Sequence, residues 1–98
     1  MRPKQTDKIL ASFGQAVRAY RVASGMTQEQ LAEAADLHPV YLGAVERGEK
    51  NISLQNIIAL CRALSVPPTG LMAVLDVAMA APLVSGTQQG IKKFDHGK

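Results

Sequence analysis

An all-α fold follows from three features of this sequence. Apolar residues make up 47% of the 98 residues and aromatic residues only 4%, with Ala and Leu leading, a balance that suits closely packed helices better than a sheet. The apolar residues recur at helical spacing through most of the chain. Between those stretches stand Thr, Ser, Asp, Pro and Gly, at places where helices begin and end. The length suits one small domain, with core enough for a helical bundle and too little for a large ligand cavity.

Five helices are predicted. Met1 to Gln5 reads as a mobile arm, and Thr6 as the cap of a first helix whose Leu10, Phe13, Val17 and Tyr20 share a face, running to about Ser24 before Gly25. Thr27 with Gln30 three residues on forms a capping-box pattern, and Leu31 and Ala35 mark the inward face of a second helix. Asp36 tolerates the left-handed backbone that a tight exit needs. Pro39 is pre-organised for the first position of a third helix, which buries Leu42 and Val45 and stops at Gly48. Two short helices so joined have the spacing of a helix-turn-helix, with Pro39 to Arg47 as the recognition helix. Ser53 caps a fourth helix with an apolar face of Leu54, Ile57, Ile58, Cys61 and Leu64. Pro67 and Pro68 break it and open a fifth, from about Pro68 to Ala81.

That fifth helix carries Leu71, Met72, Val74, Leu75, Val77, Ala78 and Met79, and so lacks a polar face. A helix apolar all round must bury more than one side. Leu71, Met72, Leu75 and Met79 are therefore assigned to a homodimer seam, the alternative cover being the C-terminal tail. Residues 6–81 make up the domain, and 82–98, with Gly86, Gly90, Gly97 and scattered charge, read as a flexible tail.

Composition argues against several classes of function. Only one Cys and two His are present, with no metal-ligand spacing, no Ser/His/Asp set and no phosphate loop, so neither an enzyme nor a bound cofactor or metal is expected. Cys61 lies in an apolar stripe, as a buried thiol would, and a reducing cytoplasm suits a chain with no disulfide to form. The longest apolar run, from Leu71 to Val84, is broken by Asp76 and Pro82 and is too short to span a bilayer, so no membrane association is expected. The net charge of +3 favours an anionic partner weakly. From Met26 to Leu64, Arg47, Lys50 and Arg62 face Glu29, Glu33, Asp36, Glu46 and Glu49, so the positive excess sits on the first helix and at both ends. Basic ends read first as solvated tails, the alternative being that they aid anion binding.

The run SGMTQEQLAEAADLHPVYLGAVERGEKNISLQNIIALCRALSV resembles the Cro/repressor-type helix-turn-helix of the XRE family of bacterial and phage regulators, and its ERGEKNISL segment most resembles the small controller proteins of restriction-modification systems. The resemblance covers about Leu10 to Leu75. It implies a compact five-helix, lambda repressor-like domain that binds double-stranded DNA as a homodimer, regulates transcription and needs no small-molecule ligand. It also implies residue roles. Gln28, beside Thr27 at the start of the second helix, would bond a backbone phosphate near the positive end of the helix dipole. His38, Pro39, Val40, Gly43 and Ala44 would face the major groove, with His38 on a purine edge and Val40 or Ala44 against thymine methyls. Gly43 would let the backbone approach DNA closely, or else occupy an exposed position under no constraint. The Tyr41 hydroxyl, Arg47, Lys50 and Asn51 would reach phosphates. Arg21 and Glu46 would form an ion pair joining the first helix to the end of the third. The reading face is more apolar than is usual in the family, which keeps open a protein-interaction module like the coactivator bridging factors; an antitoxin would fit the same resemblance.

Overall fold

The computed structural model of the protein describes residues 5–80, all of whose regular structure is helical. Five helices follow in order: α1 (Gln5–Ala23), α2 (Gln28–Ala35), α3 (Pro39–Glu46), α4 (Leu54–Leu64) and α5 (Pro68–Met72). The predicted arm, apart from Gln5, and the predicted tail at 82–98 lie outside the described residues.

Helix ends obey local chemistry. Gly25, Asp36, Gly48 and Ser65 all adopt positive φ, from 58° to 78°. Each closes its helix with the paired backbone bonds of a Schellman ending: Gly48 N–H to Val45 O with Glu49 N–H to Ala44 O at the end of α3, and Asp36 N–H to Glu33 O with Leu37 N–H to Ala32 O at the end of α2. Thr27 and Gln30 form both halves of the capping box, at 3.0 and 2.9 Å, and Ser53 Oγ caps α4 through Asn56 N–H.

Two boundaries depart from expectation. α1 begins at Gln5, so Thr6 lies inside the helix and does not cap it; Gln is a good helix former, and Asp7 in the first turn complements the positive end of the dipole. The fifth helix is interrupted at Ala73 and resumes over 74–80. Ala73 keeps right-handed helical dihedrals, and Asp76 N–H bonds to Ala73 O, a bond spanning three residues that tightens the local turn.

One core serves all five helices. Val17, Leu31, Leu42, Val45, Leu60 and Leu71 are the largest fully buried side chains, and each helix supplies at least one of them. Two expectations fail here. Leu54 is 72% exposed, and the buried arc of α4 is Ile57, Leu60, Cys61 and Leu64. Leu54 stands directly after the Ser53 cap, at the edge of that arc. Leu71, assigned to a dimer seam, is fully buried within its own chain, because a bend of 112° between α4 and the segment Pro68–Ala80 folds α5 back onto the core. Cys61 is buried as expected, and burial pushes its thiol above the usual range, keeping it protonated at neutral pH.

α1 and α3 meet at unusually short range. A Cβ on Gly14 would stand 2.3 Å from Val45 O and 2.6 Å from Glu46 O, so this crossing requires glycine. Gly48 lies as close to Ala11, where a Cβ would come within 2.7 Å of the Ala11 Cα. Among the described residues no single helix is long and apolar enough to cross a membrane.

Candidate nucleic-acid interface

The arrangement of α2 against α3 is set by a polar junction under their free face. Arg21 on α1 donates from Nε and Nη2 to the two Glu46 oxygens at 2.7 and 3.1 Å, and from Nη1 to the Met26 carbonyl at 2.9 Å. Gln28 Nε2 donates to Glu46 Oε1 at 2.9 Å. Three helices are thereby tied to one carboxylate, whose side chain is only 2% exposed. The hydrogen bonds from Arg21 to Glu46, followed by that carboxylate's charge and opposed by burial, raise the guanidinium above its ordinary pKa. The pairing of Arg21 with Glu46 was expected; the Gln28 arm was not. Gln28 is half-buried and already spends one amide hydrogen internally, so a phosphate contact would use its second.

The turn places His38 as the N-cap of α3. Its Nδ1 accepts from Val40 N–H at 3.1 Å. An accepting Nδ1 leaves the proton of the neutral ring on Nε2, which then points a donor outward, suited to a purine N7 or O6. His38, Pro39 and Val40 are all exposed, Val40 by 72%. They form the open N-terminal face of α3.

Gly43 and Ala44 stand three and four residues on from Val40, on the same face of α3, but are not open. Both are buried. The side chains of Arg47 and Gln28 lie over Gly43, with Arg47 Nη1 at 3.3 Å and Gln28 Oε1 at 3.5 Å from where a Cβ would stand. This overturns the reading of Gly43 as exposed and unconstrained. Ala44 is 6% exposed, so it presents little surface to a groove.

Groups that can meet phosphate flank the open face. Thr27, Arg47, Lys50 and Asn51 are exposed, although Thr27 Oγ1 is engaged in its cap. Tyr41 is half-buried; its hydroxyl accepts from Asn56 Nδ2 at 3.2 Å and keeps its own hydrogen to donate. Arg47 donates to both oxygens of Glu49, at 3.1 and 3.2 Å. That pair holds Glu49 below the usual carboxylate range and Arg47 above its ordinary value. Sequence reading missed Glu49 and Asn56 as partners. The signal for Glu49 was the Gly48 beside it, since a left-handed glycine folds the next residue back toward the helix end.

The helix-turn-helix family matches residues 17–71, from the middle of α1 into α5 and through the whole of this junction. The chain belongs to the helix-turn-helix family. Over 68 residues, 68% of this chain, it is 46% identical to control protein C.BamHI of Bacillus amyloliquefaciens and spans 84% of it. The restriction-modification controller protein C.AhdI from Aeromonas hydrophila superposes with a TM-score of 0.63 at 47% identity, covering 63% of this chain and 94% of that one. The clp gene regulator ClgR from C. glutamicum superposes at 0.68 with 32% identity, covering 74% of this chain and 95% of its own. Within this helix-turn-helix, α2 and α3 are the two helices of the motif, and the buried Arg21 and Glu46, with the half-buried Gln28, tie them to each other and to α1.

Proposed function

We propose that this chain is a sequence-specific DNA-binding transcriptional regulator that acts as a homodimer on a two-fold symmetric operator. It is a controller-type binding protein, not an enzyme, and works in the cytoplasm. The observation that carries the reading is the open face of α3: His38, Pro39 and Val40 exposed on a helix that the Arg21–Glu46–Gln28 junction holds rigidly, with Arg47, Lys50 and Asn51 exposed beyond it. The names of its relatives, two control proteins and one gene regulator, agree. In the major groove, His38 Nε2–H meets a purine acceptor and Val40 a thymine methyl, while Arg47, Lys50, Asn51 and the second Gln28 amide hydrogen meet phosphates.

The test separates reading from gripping. His38→Asn keeps an N-cap residue of the best kind while removing the outward ring donor. It is expected to cost about 1–3 kcal/mol on the selected operator and to relax preference at one or two base positions per half-site, with thermal stability retained. Arg47→Ala is expected to weaken binding to every duplex and to lower the salt slope by about one, leaving preference intact. Titration against selected and scrambled duplexes at two salt concentrations decides the matter. A wild type that does not distinguish the duplexes overturns the reading.

The dimer seam lies further along the chain than Leu71. Val77 is 76% and Met79 44% exposed, whereas Met72 and Leu75 are half-buried against their own core. A mainly apolar groove lined by Ala16, Ala19, Val74, Val77 and Ala78, together with Ser12 and Gln15, runs between α1 and 74–80. A second copy of the chain fills it, with recognition helices about 34 Å apart. Val77→Asp is expected to leave a folded monomer, whereas Leu71→Ala is expected to lose about 2–5 kcal/mol of fold stability. Sedimentation equilibrium checks the first and denaturation the second; a wild type that stays monomeric at tens of micromolar removes the seam.

A further inference from the structure

Arg47 is held from several sides in the free protein. Nε and Nη2 form a fork on the Glu49 carboxylate, at 3.1 and 3.2 Å. Nη1 lies against Gly43, where any Cβ would crowd it at 3.3 Å. The Schellman ending at Gly48, with Glu49 N–H bonded to Ala44 O at 2.9 Å, fixes the backbone that presents Glu49. Both side chains remain well exposed, at 60% and 57%, so neither needs the other for burial. A guanidinium fork fits a carboxylate and a phosphate in the same planar, two-bond way.

We propose that Glu49 is an intramolecular stand-in for a DNA phosphate, a positioning residue that orients the Arg47 guanidinium in the free protein and must be displaced when a backbone phosphate takes its place. This rests on the DNA-binding reading above. Arg47 thus arrives at the duplex with its geometry set, and the exchange of one anion for another lowers the affinity for every sequence alike. Its released partner stays close to the backbone, with Lys50 adjacent to offset it. Glu49 therefore sets the strength of the grip without touching a base.

The experiment uses the full chain and two duplexes, selected and scrambled. Glu49→Gln is expected to tighten binding to both by about two- to five-fold, the range of an exposed ion pair. In an R47A background that gain should vanish, since no guanidinium remains to be released. Glu49→Asp keeps the charge but withdraws the carboxylate by one methylene, and should also bind more tightly than wild type. A gain that persists undiminished in the R47A background would show plain repulsion between Glu49 and the duplex and overturn the proposal. So would a Glu49→Gln protein that binds like wild type. A wild type that binds neither duplex overturns the DNA reading itself, and this proposal with it.

Discussion

Replacing Arg21 with Ala is expected to lower the unfolding free energy by about 3–5 kcal/mol, and Glu46→Ala by a similar amount. Without Arg21, the Glu46 carboxylate remains almost wholly buried with Gln28 as its remaining side-chain donor. Without Glu46, the guanidinium keeps the Met26 carbonyl and only the weaker pull of the Glu29 charge. The double replacement removes both stranded groups and should recover part of the loss, so the two single effects should exceed the double. Additive losses in a denaturant cycle would show that the pair is not coupled. The contribution should be flat with pH across the neutral range. Hydrogen bonding to Glu46 raises the Arg21 guanidinium above its ordinary value, and a raised base contributes fully at every pH below its unfolded value. DNA binding should fall together with stability, because this carboxylate ties α1, α2 and α3 together beneath the two helices of the motif.

Gly48→Ala is expected to cost about 2–5 kcal/mol, and Gly25→Ala only about 1–2. Both glycines adopt nearly the same positive φ, 78° and 75°. The backbone penalty for a side chain is therefore shared. They differ in surroundings: a Cβ at Gly25 meets nothing within 4 Å, whereas at Gly48 it would stand 2.7 Å from the Ala11 Cα and 2.9 Å from the Ala11 N, both backbone atoms. Backbone cannot swing aside as a side chain can, so α1 and the end of α3 must move apart. Parallel chemical denaturation of the two variants checks the difference, and equal losses would place the whole effect in the dihedral. Gly14 offers a third comparison at helical φ, where only the close approach to Val45 and Glu46 is at stake.

Much of the fold was legible because its signals are local. The capping box of Thr27 and Gln30, Pro39 at the start of α3, the left-handed Asp36 and the stop at Gly48 depend on residues a few positions apart, and each fixes a helix end wherever that helix later packs. Ser65 was missed, since Ser seldom takes a left-handed backbone and no nearby glycine marks the turn. The Arg21–Glu46 pair was reachable through a resemblance; nothing in periodicity brings together residues so far apart in the chain.

The sequence by itself determined where the helices lie, that they are amphipathic enough to bundle, and which short unit forms the helix-turn-helix, because hydrogen-bonding at helix ends and side-chain periodicity are properties of neighbours along the chain. Only the tertiary structure decided where the inward faces depart from that periodicity. Leu60 took the core place expected of Leu54, and Leu71 turned into the core and away from a partner chain. Gly43 was covered by the Gln28 and Arg47 side chains, and those two side chains acquired carboxylate partners. Each of these outcomes depends on how closely two helices approach and at what angle. That approach is set where Gly14 and Gly48 let backbones touch and where one buried carboxylate gathers three helices, in distances across space that no pattern along the chain encodes.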